Sequence, residues 1–190
     1  MSQSGRGSES RPGGPVVSVS VDAASRAGVR VLEGEPDGRD LTIAIVCARF
    51  HEEICERLLQ GALDSLSKWG VPAGRVTVAR VPGAFELPLA ARQLAESGAD
   101  AVVCLGVVIR GETPHFDYVA GEAARGIALV STETGVPALF GVLTVETEAQ
   151  ALDRAGGRYG NKGGEAAEGA VRMANTMRAI RAARAARSAR

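Results

Sequence analysis

The run Ala101–Leu105, AVVCL, is apolar at every position, and this constrains the fold more than any other stretch of the chain. A strand without polar alternation has no face to offer to water, so both faces must be covered. Covering both faces calls for helices above and below, which is the setting of parallel sheets. The flanking sequence supplies them. Leu41–Cys47, Arg75–Val81, Ala101–Ile109 and Pro137–Val145 each read as strands, and helical patterns separate them. After the first strand, Ile54, Leu58, Leu59, Ala62, Leu63 and Leu66 form one stripe up to about Trp69, where Gly70 ends the helix. A second helix opens at Leu87-Pro88 and runs to Glu96. After the third strand, Phe116, Val119, Ala123, Ile127 and Val130 recur at steps of three and four until about Gly135. Thr147–Ala155 reads as a short helix, Gly156–Gly164 as a glycine-rich kink, and Glu165–Arg181 as a last amphipathic helix. Strand and helix alternating at this length predict a parallel sheet with right-handed crossovers.

In such sheets ligands bind at the carboxyl ends of the strands, where loops meet helix N-termini. Four segments should gather there: Ala48–His51, Pro82–Glu86, Gly106–His115 and the region of Phe140–Glu146. The third carries the most chemistry. Thr113-Pro114 reads as the cap and first residue of a helix, since proline's missing N–H costs nothing there. Free amides at that point suit an anion. His115 follows, where the helix dipole favours a neutral imidazole that can accept a proton.

Each candidate also has a plainer reading. His115 could be a solvent-facing residue of a first turn. Phe50 could tuck into the core or stack on a flat ring. Glu86 could cap its helix or bind a ligand hydroxyl. Arg154 could be simply solvated, and Arg110 should pair with a carboxylate. Gly160-Asn161-Lys162-Gly163 lacks the Gly-x4-Gly-Lys-Ser/Thr pattern of a P-loop and reads as a turn. No histidine, cysteine and carboxylate cluster has metal-ligand spacing, and no GxGxxG or GxSxG motif is present. The residues alone thus describe an anion pocket with a histidine, an aromatic ring and a carboxylate. That set suits condensation or elimination on a phosphorylated small molecule, or plain ligand binding.

Composition narrows the setting. With 22 basic and 22 acidic residues the formal charge is zero, which gives no general case for nucleic acid or a membrane surface. No stretch nears the ~20 apolar residues of a membrane span. The N-terminus lacks the basic and apolar segments of a signal peptide. Cys47, Cys55 and Cys104 form no CxxC pair and read as buried free thiols in a reducing, cytoplasmic protein. Residues 1–28 are expected to be a disordered extension, with Val16–Val21 at most an edge strand. Residues 29–180 form the domain, and residues 181–190 an arginine-rich tail. Arg178, Arg181, Arg184, Arg187 and Arg190 step by three, lagging each turn by about 60°, so they wind around a helix instead of lining a face. A solvated, fraying end is expected there. Val29–Leu32 is a spare alternating strand without an evident partner.

GAFELP (Gly83–Pro88), GVVIRGETPHFDYV (Gly106–Val119), TGVPALFGVLT (Thr134–Thr144) and RAGGRYGNKG (Arg154–Gly163), in this order, resemble the 6,7-dimethyl-8-ribityllumazine synthases of riboflavin synthesis. The resemblance covers roughly Val29 to Ile180. It implies a flavodoxin-like, three-layer α/β/α sandwich with a four-stranded parallel sheet and an N-terminal strand pairing with a neighbouring subunit. It also implies a cofactor-free and metal-free transferase joining 5-amino-6-(D-ribitylamino)uracil to 3,4-dihydroxy-2-butanone 4-phosphate. By motif, Phe50 would stack on the pyrimidine. Ala84, Phe85, Glu86, Val107, Val108 and Ile109 would hold the ribityl chain and ring edge. Glu112, Thr113 and Arg154 would bind phosphate, His115 would transfer protons, Phe140 would complete the pocket, and Lys162 is an optional member. Pentamers are implied, with Phe140 and Arg154 lent by a neighbour. The short Gly160–Gly163 kink resembles the type that builds shells of sixty subunits, with riboflavin synthase as possible cargo. Two positions depart from the pattern: His51 stands where asparagine is common, and Val107 where alanine or threonine is frequent. Competing classes are a flavin or lumazine binder on the same fold and a shell whose task is enclosure.

Overall fold

The computed structural model describes residues 28–189. Met1–Val31 and Leu32–Arg190 are separate units. The possible edge strand Val16–Val21 and nearly all of the expected disordered extension lie outside the described residues. In the described part of the first unit, and through Leu32, the chain forms no strand.

The second unit is built on four parallel strands: β1 (Ile43–Ala48), β2 (Val76–Val81), β3 (Ala101–Ile109) and β4 (Ala138–Val145), in the order β2-β1-β3-β4. The helices are α1 (Glu52–Lys68), α2 (Leu87–Glu96), α3 (His115–Thr134), the short α4 (Glu148–Leu152) and α5 (Lys162–Ser188). A small hairpin, β5 (Ala155–Gly157) and β6 (Gly160–Asn161), precedes α5. Helices α1 and α5 pack together beside the sheet, while α2 packs on α3, giving three layers. This is the flavodoxin-like arrangement that the motifs imply.

Burial follows strand position. All six residues of β1 and the first seven of β3 are buried, whereas β2 and β4 alternate or are partly open. The all-apolar run Ala101–Leu105 therefore sits at the sheet centre, as its composition demands. Helix α1 buries Ile54, Leu58, Leu59, Ala62 and Leu66 of the predicted stripe, and α3 buries Ala123, Ile127 and Val130. Phe116 and Val119, which begin the α3 stripe, are only half-buried, because the stripe runs out of the core there.

Several element ends differ from the sequence reading. Helix α3 begins at His115 with Pro114 as its cap (φ −62°, ψ −2°), one residue later than Thr113-Pro114 suggested, and no side chain caps it. Helix α5 begins at Lys162 and not Glu165. Asn161 is its cap: Oδ1 accepts from the amides of Gly163 (2.9 Å) and Gly164 (3.1 Å), while Nδ2 donates to Arg57 O (2.8 Å). The glycine-rich kink is thus a hairpin plus a capped helix start. Its glycines let α5 meet α1 backbone to backbone, for a Cβ on Gly163 would lie 2.1 Å from Leu58 O. Helix α5 also continues to Ser188, beyond the expected end at Arg181. Two of the tail arginines are not merely solvated. Arg178 donates to Asp100 (2.9 Å) and to Asp40 O (3.0 Å), and Arg181 donates to Gly135 O (2.7 Å). Arginines can hold carbonyls that a helix C-terminus or loop leaves open, and these two tie α5 to the amino-terminal side of the sheet.

Candidate active site

In a sheet ordered β2-β1-β3-β4, the chain leaves β1 toward one edge and leaves β3 toward the other. The crevice at the carboxyl ends of β1 and β3 is therefore the switch point where ligands bind. Two adjoining hollows open there and share Phe50, Ala84, His115 and Val119. One, of about 240 Å³, is lined also by His51, Val107–Ile109, Gly111, Thr113 and Phe116. The other, of about 370 Å³, extends over Gly83, Phe85, Glu86 and Tyr118.

The loop after β1 turns sharply to present Phe50. Arg49 N donates to Val81 O (2.9 Å) and Phe50 N to Pro82 O (3.0 Å), so the loop continues the pairing with β2 past the strand end. His51 then adopts φ 57°, ψ 56° and starts α1; it is the only non-glycine with positive φ among the described residues. This left-handed conformation costs an L-residue on the order of 1 kcal/mol, least for asparagine and its like. The core reading of Phe50 does not hold, since its side chain is 68% exposed. The ring lies against Gly83, where a Cβ would come within 2.8 Å of it.

After β2, residues Ala84–Glu86 form one 3-10 turn leading into α2. Glu86 Oε2 accepts from Gly83 N at 2.9 Å, so the capping reading of Glu86 holds while its carboxylate also borders the hollow. The close of β3 brings Val107, Val108 and Ile109 to the floor. Thr113 and His115 stand at the N-terminus of α3, where the first amides lack helical partners. Glu112 stays outside the lining. Arg110, expected to pair with a carboxylate, pairs with two: Asp117 on α3 (3.1 Å) and Glu146 after β4 (3.0 Å), with its guanidinium 4.0 Å from the Phe116 ring centre. These partners, Asp117 first, raise its pKa above the usual arginine value. Arg110 therefore braces the mouth of the loop, and its charge is already spent.

Nine residues of the predicted site border these hollows: Phe50, Ala84, Phe85, Glu86, Val107, Val108, Ile109, Thr113 and His115. The other four, Glu112, Phe140, Arg154 and Lys162, do not meet them within one chain. Phe140 is not at a strand end; it lies within β4 opposite Cys104, with its ring 44% exposed on the sheet edge. Arg154 donates to Gln150 O (3.0 Å) and faces the Tyr159 ring, and Lys162 is paired with Glu165 (2.7 Å). Sequence reasoning missed Tyr118 and assigned no role to His51. Tyr118 was findable, as it follows His115 by three on one helix face.

The three cysteines are free and buried. Burial pushes the Cys104 thiol up to about 12. Among the described residues no cluster of acids, histidines or cysteines could hold a metal ion, and no helix is long and apolar enough to cross a membrane. Residues 40–178, well over half of the chain, match a family described as 6,7-dimethyl-8-ribityllumazine synthase.

Proposed function

From the premise that the chain belongs to the 6,7-dimethyl-8-ribityllumazine synthase family, a transferase family of riboflavin biosynthesis, we propose the following reaction for it. It condenses 5-amino-6-(D-ribitylamino)uracil with 3,4-dihydroxy-2-butanone 4-phosphate, releasing 6,7-dimethyl-8-ribityllumazine, phosphate and water. The observation that carries this reading is convergence. An exposed aromatic ring, a histidine and a helix N-terminus face one hollow at the switch point of the sheet.

Phe50 stacks on the pyrimidine, with Gly83 behind it. Backbone groups of Ala84–Glu86 and Val107–Ile109 hold the ring edge and ribityl chain, so valine at position 107 is tolerated. The phosphate sits against Thr113 and the first amides of α3, with Glu112 contributing through its backbone. The 5-amino group attacks the ketone and water leaves, forming an imine. His115 then moves a proton at the adjacent carbon while the phosphate departs. The ribityl-bearing nitrogen closes the second ring with loss of another water. These steps move protons or expel leaving groups and need no external oxidant or reductant, so no redox cofactor enters the proposed reaction.

The site is completed between subunits. Phe140, Arg154 and the optional Lys162 reach the hollow of a neighbour in a homo-pentamer, and Val29–Leu32 adds a strand to a neighbour's open sheet edge. Arg154 then supplies the guanidinium for phosphate. Pentamers assemble further into a sixty-subunit shell that can enclose riboflavin synthase, in the cytoplasm. The test is to mix both substrates with the protein, follow the lumazine absorbance and measure mass by light scattering. Tight binding of lumazine without turnover would replace the enzyme by a binding module.

A further inference from the structure

Cys55 has no part in the chemistry above, yet it touches the loop that carries Phe50. It is fully buried in the first turns of α1. Its Sγ lies 3.3 Å from the carbonyl oxygen of Phe50, to which the thiol donates. That carbonyl precedes the helix and has no helical partner: His51, the cap, takes both Ile54 N (3.0 Å) and Cys55 N (3.1 Å) on its own oxygen. The thiol fills the gap. It also keeps its proton, because contact with the Cys47 sulfur and burial both raise its pKa above the ordinary thiol value.

We infer that Cys55 is a positioning residue whose S–H···O bond fixes the peptide after Phe50, and with it the direction of the aromatic wall. The reason lies in exposure. A ring that is 68% exposed is not held by surrounding side chains, so its direction depends on the backbone that bears it. On the amino side that backbone is gripped by Val81 O and Pro82 O. On the carboxyl side it turns through a strained residue, and the Cys55 thiol is the grip across that turn. The inference rests on the reading of Phe50 as the surface that stacks on the pyrimidine.

The test uses the full-length assembled protein. Cys55→Val fills the space without a donor, Cys55→Ala serves where the branched side chain disturbs α1, and Cys55→Ser restores a donor. Losing one such bond should raise the KM for 5-amino-6-(D-ribitylamino)uracil about three- to tenfold. The kcat and the KM for the phosphorylated substrate should hold, and Cys55→Ser should recover most of the loss. In a Phe50→Ala background the same cysteine change should add nothing. Hydrogen exchange of the amides around residues 49–51 should quicken in the donorless variants and not in Cys55→Ser. Equal rises in both KM values, multiplying effects of the two changes, or unaltered exchange would each overturn the inference. If Phe50→Ala alone leaves the KM unchanged, the stacking role of Phe50 falls, and the exchange comparison still decides whether Cys55 holds the turn.

Discussion

The two parts of the candidate site differ in how they are held. Phe50, Ala84, Thr113 and His115 follow the carboxyl ends of β1, β2 and β3 and meet in one concavity. Phe140, Arg154 and Lys162 belong to the β4–α5 side and point their chemistry elsewhere within the chain. Sheet topology alone assembles the first group, because parallel strands deliver their loops to one end. The second group shares no such constraint. An edge strand and a hairpin can face outward, and under the proposed reading a second copy is where their side chains act.

The sharpest way to break this division is at His115. His115→Ala should lower kcat by about 10²- to 10⁴-fold, the usual loss for an acid-base group. Steady-state rates check it, and an unchanged kcat would remove the histidine from the first group. Arg154 tests the second group. His115→Ala and Arg154→Ala proteins, each nearly inactive, are to be denatured together and reassembled. With shared sites, random mixing gives about a quarter of interfaces with both sides intact, in a closed symmetric ring. Activity should rise accordingly. Mixed assemblies that form and stay inactive would place Arg154 and His115 in the same chain's site or nowhere near each other.

Phe50→Ala should raise the KM for the pyrimidine substrate by roughly 5- to 100-fold, the range for losing one base–aromatic stack. The KM for the phosphorylated substrate should change little, which separates the aromatic wall from the anion end. Outside the site, Gly163→Ala must push α5 off Leu58 O, a contact of 2.1 Å without relaxation. A stability loss of about 1–3 kcal/mol is expected from overpacking, measurable by urea unfolding. The smallest effect belongs to His51. His51→Asn should relieve left-handed strain and stabilise by about 0.5–1 kcal/mol, seen as a slightly higher Tm. A lower Tm would mean that the imidazole makes contacts that offset its backbone.

Much of this was legible in the chain itself, and the reasons are local. Uniform apolarity at Ala101–Leu105 requires two covered faces, so the central strand and the three layers follow from composition. The run Thr113-Pro114-His115 marks a helix start within one residue, because proline and a free amide end suit the same place. The fate of Glu86 and Phe50 was not legible. A carboxylate three residues after Gly83 can cap or bind, and only the 2.9 Å bond to Gly83 N shows that it caps. An aromatic ring before a helix can be inside or outside, and only its 68% exposure decides.

By itself, then, the sequence determined the strand-helix rhythm, the parallel sheet and the residue types at the strand ends, since these depend on periodicity and on nearest neighbours. The tertiary structure decided where α5 starts and how far it runs, because Asn161 needs Arg57 and the arginines need Asp100 and Gly135, all distant in sequence. It likewise decided the left-handed turn at His51. That conformation is unfavourable locally and survives only where packing of α1 against the sheet leaves the chain no other path.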